Sequence, residues 1–179
     1  MARPTHILRH EHRVIEQGLR ALDGICLKFK TGERVPAGTL SLLLDFIRNF
    51  AIQFHHAREE ELLFPALLRV GVREEGGALG FLRDEHLLER QLVAELELVI
   101  DEYGNGDDHA ADRFIQAATA FRDHLANHMQ QEDAMLFSLA EELLDEPAKL
   151  ELLRAFNRDE EGHARYEEIA AALEREWAV

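Results

Sequence analysis

The chain has 179 residues, 46% of them apolar, a formal net charge of −15 and a single cysteine, Cys26. That length suits one domain with one sizeable core, while the acidity argues against nucleic acid and an anionic membrane surface as partners. One cysteine excludes an internal disulfide or a thiolate cluster; with no signal-like start and no apolar run of transmembrane length, a reduced, cytoplasmic protein is expected.

Leu, Ala, Glu and Arg dominate, and Gly or Pro falls at regular breaks, so five helices are predicted and no strand. The first starts near Thr5 as N-cap and carries Leu8, Ile15, Leu19, Leu22 and Ile25 at helical spacing, with Cys26 a small buried hydrophobe on the same side. TGERVPAG ends it. The second runs from about Thr39 to Val70, with a kink or shortened last stretch expected at Pro65. After the loop GVREEGGALG, the third runs from about Phe81 to Tyr103. The fourth spans about Asp108 to Leu144, and Pro147 suits the first turn of a fifth that reaches about Trp177. Short connections between long helices imply antiparallel neighbours. The predicted fold is all-α: one domain over 1–179, an up-down-up-down four-helix bundle over 1–144 and an added helix over 147–177.

The chain also matches itself. LRHEHRVIEQGLRAL (8–22) and LRDEHLLERQLVAEL (82–96) each begin Leu-Arg and place Glu-His at the fourth and fifth positions. FHHAREEELLFPA (54–66) falls on NHMQQEDAMLFSL (127–139), pairing His55 with His128 and Glu59 with Glu132. The sequence therefore reads as two helical hairpins, each with a His on its first helix and His-x-x-x-Glu on its second. Two i,i+4 pairs are available in the second helix, and the repeat selects His55–Glu59 over His56–Glu60. The helical face agrees: an ideal helix puts Leu44, Ile47, Ala51 and Leu63 with His55, but Asn49 and Gln53 with His56.

Residues four apart share one helix face, about 5–6 Å between Cβ atoms, so a His and a Glu so placed reach one metal while the second carboxylate oxygen is free to bridge. Two such helices, with one His from each of the others, bring four imidazoles and two carboxylates to the bundle centre. That layout suits two metal ions about 3.5–4 Å apart. Imidazole with carboxylate suits iron, zinc or manganese. A salt-bridged buried glutamate would account for one hairpin, but not for the arrangement twice over.

At these residues the chain resembles the hemerythrin-like HHE cation-binding family. The resemblance rests on EHRVI (11–15), HHAREEELLFPAL (55–67), EEGGALGFLRDEH (74–86), HMQQEDAMLF (128–137) and EEGHARY (160–166). It implies a non-heme di-iron centre, with ligands His12, His55, Glu59, His86, His128 and Glu132 and the two glutamates bridging. It also implies a small oxidant or gas as partner: oxygen, nitric oxide or peroxide. Oxygen-carrying members have His-x-x-x-His on the third helix and His-x-x-x-x-Asp on the fourth. Here Arg90 stands four after His86 and the fourth helix carries His-x-x-x-Glu, which looks more like the branches linked to iron sensing, iron-centre repair and nitric oxide or peroxide chemistry.

Secondary metal candidates are His56, Glu89, His124 and His163. One branch of the family places an extra ligand directly after the residue matching His55, which is where His56 stands. Glu89 lies three after His86, and His124 one turn before His128. His163 and Tyr166 fall in the tail motif, where they would reach the site, gate it or hold the tail helix. Glu60 and Glu61 are expected on the solvated side. Glu11 and Glu85 precede ligands and are placed to hydrogen-bond imidazoles across the bundle. His6, His10 and His109 are expected to be exposed.

Overall fold

The computed structural model describes residues 3–107, 109–158 and 160–179, with side chains of the last stretch from 163 onward. Asp108, the expected start of the fourth helix, lies outside them. Among the described residues every regular element is helical, as the sequence predicts. Helix α1 is Pro4–Lys30. Helix α2 covers 37–69 and α3 is Ala78–Gly104. Helix α4 covers 110–143, α5 is Glu146–Phe156 and α6 is Glu160–Trp177. Helices α1 to α4 form a ring in which each packs on its two chain-order neighbours and α4 closes back on α1.

The ends and breaks differ from expectation in three places. Helix α1 begins at Pro4, not at a Thr5 cap: Thr5 is buried and its hydroxyl donates to Glu141. Pro favours the first helical turn because its missing N–H has no partner there in any case. Pro65 does not shorten α2, which runs on to Arg69. A stretch of π-helix, Arg58–Leu63, directly precedes it, and Pro65 sits in the first turn of Phe64–Arg69. The i→i+5 pattern already interrupts the α-helical ladder whose N–H a proline lacks. The tail forms two helices instead of one, the first ending at Phe156 with Asn157 as its C-cap. Asp145 caps α5, accepting from the Ala148 N–H at 2.9 Å.

Helix α6 lies along α1 and touches the start of α2. Gly24 permits the approach: a Cβ there would fall 1.7 Å from the Trp177 carbonyl oxygen. The apolar core is divided. One cluster holds Leu22, Phe46, Phe50, Leu96, Phe114 and Phe121 together with Cys26. A second holds Leu8, Leu63, Phe64, Leu82, Leu136 and Phe137. A layer of buried polar side chains lies where the two would otherwise merge. Among the described residues, no helix is long and apolar enough to cross a membrane.

Candidate metal centre

Each helix of the ring brings donors to that polar layer. Helix α1 supplies His12, α2 supplies His55, His56 and Glu59, α3 supplies His86, and α4 supplies His128 and Glu132. All seven are buried. Both carboxylates sit in wide π turns: Glu59 in Arg58–Leu63 and Glu132 at the start of Glu132–Leu136. A third π stretch, Ile47–His55, leads into the adjacent histidines. Single π turns inside α-helices shift side-chain direction locally. Here both His55 and His56 are turned inward, 0% and 1% exposed.

The donors converge as two groups of four that share two members. His12, His55, Glu59 and Glu132 form one; Glu59, His86, His128 and Glu132 form the other. Within each, the ligand atoms lie within 4.8 Å of one another. His12 Nε2 is 3.3 Å from Glu132 Oε2, and His55 Nε2 is 3.7 Å from Glu59 Oε2. Across the layer, His128 Nε2 is 3.2 Å from Glu132 Oε1, and His86 Nε2 lies 3.5 Å from Glu59 Oε2 and 3.6 Å from Glu132 Oε1. His56, His86 and His128 form a further group of three imidazoles.

Both oxygens of Glu59 and of Glu132, and Nε2 of His56, His86 and His128, are buried without a hydrogen-bond partner. Burying polar atoms unpaired costs several kcal/mol each, in rough terms, and burying two carboxylates in one pocket costs more. A cation between them removes that cost. Nitrogen and carboxylate oxygen donors without sulfur are the set that iron, manganese or zinc takes.

Carboxylates behind the imidazoles fix the rings. Glu11 Oε2 is 2.8 Å from His55 Nδ1, Glu60 Oε1 is 2.7 Å from His86 Nδ1, and Asp133 Oδ1 is 3.3 Å from His12 Nδ1. Holding Nδ1–H in this way points Nε2 at the centre. Arg58 in turn donates to Glu11 and to the Phe156 carbonyl oxygen. Burial pulls the His12 imidazole down, yet Asp133 and Glu132 outweigh it and raise it to about 10. His86 is likewise pulled down by burial but raised to about 11 by Glu132, Glu59 and Glu60. Glu60, bonded to His86, is lowered to about 2. Burial and the neighbouring Glu132 charge push Glu59 up, whereas Glu132, despite burial, is held well down by His128, His12 and His86.

The secondary candidates fall in different places. His56 joins the three-imidazole group; its Nε2 also lies 3.0 Å from Glu89 Oε2. Glu89 is fully buried beside His56 and His124, outside the convergent groups, and burial raises its carboxyl to about 7. His124 Nε2 is 3.5 Å from Glu85 and 3.6 Å from Glu89 and does not join a group either. His163 reaches Glu11 Oε1 at 3.8 Å but not the centre. Tyr166 packs against Phe46 and Phe50, with ring centroids 6.4 and 5.9 Å apart. Glu61 is exposed as expected, whereas Glu60, expected to be solvated, turns to His86. The roles of Glu60 and Asp133 had a signal in the repeat: each directly follows a paired glutamate, Glu59 or Glu132.

The family profile described as the hemerythrin HHE cation binding domain matches residues 3–140. No curated protein and no solved structure matches the chain at a significant level.

Proposed function

As the chain belongs to the hemerythrin HHE cation-binding family, we propose that its buried layer holds a pair of iron ions, bridged by Glu59 and Glu132, that binds, senses or reacts with a small oxidant or gas. The observation that carries this reading is the sharing of those two carboxylates, with all four oxygens unpartnered, by two separate imidazole groups. His12 and His55 would hold one ion. His86 and His128 would hold the other, with His56 as a third imidazole on that side.

The chemistry a bound iron pair supplies is coordination of, and electron exchange with, oxygen, nitric oxide or peroxide. The chain's own residues do the rest. Glu11, Glu60 and Asp133 orient His55, His86 and His12 through Nδ1. Leu8, Leu82, Phe137 and the opposite cluster around Phe50 and Phe121 keep bulk water from both faces of the layer. The donor count is unequal, two imidazoles against three. A small ligand would therefore find its position on the His12–His55 side.

Metal content and visible absorption of aerobically purified protein test the reading, before and after exposure to oxygen and nitric oxide. Iron at about two per chain with a near-ultraviolet or visible band is expected. Colourless protein free of iron would overturn it; zinc or manganese alone would identify the same cage around a different metal. Peroxide or nitric oxide consumption that stops in Glu59→Ala and Glu132→Ala would mark an enzyme. Iron without turnover would mark a sensor or store.

A further inference from the structure

A further His-x-x-x-Glu lies outside the bundle centre. His163 and Glu167 stand four apart on α6, as His55–Glu59 and His128–Glu132 do on α2 and α4. Packing of α6 on α1 brings them to His10, two residues before His12 and on the opposite side of α1 from the centre. His10 Nε2 is 2.5 Å and His163 Nδ1 is 3.1 Å from one atom, Glu167 Oε1. The two rings lie 5.8 Å apart and 24° from parallel. The three ligand atoms all fall within 4.8 Å of one another.

An ordinary ion pair needs one imidazole for one carboxylate. Here two imidazoles from different helices aim nitrogens at the same oxygen, and if both were protonated they would repel at that distance. A single metal cation satisfies all three donors at once. Two guanidinium groups lie nearby: Arg13 Nη2 is 3.5 Å from His10 Nδ1, on the far edge of that ring from Glu167, and Arg58 is committed to Glu11 and the Phe156 carbonyl. The triad itself lines an open cavity of about 410 Å³, together with His6 and Ile7 of α1, Phe156 and Ala164. Three protein donors and an open side leave room for solvent on the metal.

We propose that His10, His163 and Glu167 form a second, mononuclear site for a divalent first-row transition metal ion, open to solvent and clamping α6 onto α1. Two imidazoles and one carboxylate suit zinc, iron or cobalt. The site does not depend on the identity of the central metal. It is nonetheless linked to the centre: His163 Nε2 lies 3.8 Å from Glu11 Oε1, and Glu11 Oε2 holds His55 Nδ1 at 2.8 Å. An ion on His163 Nδ1 fixes the Nε2–H toward Glu11, so tail docking and the orientation of His55 are coupled.

Zinc-equilibrated full-length protein, desalted and assayed for total metal, tests this against Glu167→Gln, His10→Ala and His163→Ala. The wild type should carry about one more divalent ion per chain than each variant, with the central complement equal in all four. Cobalt in place of zinc should give visible bands that Glu167→Gln lacks. Zinc should also slow trypsin cleavage at Arg165 several-fold in the wild type and not in Glu167→Gln. Equal metal content in wild type and variants would overturn the proposal. So would loss of the central ions together with the outer one in all three variants, since the triad would then be part of the centre. Unchanged far-ultraviolet dichroism in Glu167→Gln separates loss of the ion from loss of the fold.

Discussion

The hairpin of α1 and α2 and the hairpin of α3 and α4 carry the same donor pattern and finish it differently. Glu60 on His86 and Asp133 on His12 are mirror images, each a carboxylate one residue past a shared glutamate reaching across to the other hairpin. The match fails elsewhere. Glu11 holds His55 Nδ1, but its repeat partner Glu85 faces His124, and His128 Nδ1 is buried with no partner. At the position where α4 has Met129, α2 has His56, which joins the three-imidazole group with His86 and His128. One side of the centre has two imidazoles, each with a carboxylate beside Nδ1; the other has three, of which only His86 is so braced, while Nδ1 of His56 and of His128 has no partner. An internal duplication is thus compatible with two unequal metal positions, and the inequality lies in residues beside the repeat, not in the repeat itself.

The strongest way to break this comparison is to remove a carboxylate that both sides share. Glu59→Ala or Glu132→Ala should each empty the whole centre, from about two ions per chain to near none by elemental analysis. Loss of one ion alone would show two independent sites. Next in size, His55→Ala should lose about one ion and His56→Ala less, because the His56 side keeps His86, His128 and both glutamates. Equal losses would sink the assignment of two donors against three. Removing the braces is milder: Glu11→Gln and Glu60→Gln should weaken metal affinity about 10–100-fold. Glu85→Gln should leave it nearly unchanged, as measured by competition with a chelator.

Proton release sharpens the same contrast. Held at about 10 and about 11 in the metal-free cluster, His12 and His86 are charged at neutral pH and must lose their protons to bind metal. His128 and Glu59 are shifted toward their protonated forms too, so loading at pH 7 should free at least two protons per chain, read by calorimetry in buffers of different ionisation heat. Without metal, these raised imidazoles stabilise the fold fully below their ordinary range near 6.5, and that contribution is lost as pH climbs through about 10 to 11. The smallest effect lies farthest from the centre. Gly24→Ala forces α6 off α1 and should cost about 1–3 kcal/mol in denaturant unfolding while metal content holds.

The fold class and the six repeated donors were legible because helices, caps and duplication leave period and offset in the sequence. His56 ranked only as a secondary candidate, because the face was counted at an ideal 100° per residue and π turns run on both sides of it. A hydrophobic wheel carries no mark of such a turn. The break in the tail was missed for a related reason: Phe156, Asn157 and Arg158 include no Pro or Gly, and the Asn157 C-cap is a weak local signal. His10 and Glu167 are 157 residues apart, and only the packing of α6 brings them together.

The divided core has a thermodynamic consequence. Phe50 and Phe121 belong to one apolar cluster, Phe64 and Phe137 to the other, and the charged layer between them is the mechanical joint. With ions in place, four helices are cross-linked at mid-height and the two ends melt together. Stripped of metal, the joint becomes the least stable stratum of the molecule, and each end is free to open by itself. A calorimetric scan should then resolve two transitions in the metal-free protein and one in the loaded protein; a single sharp transition without metal would show that the ends are coupled through the helices alone.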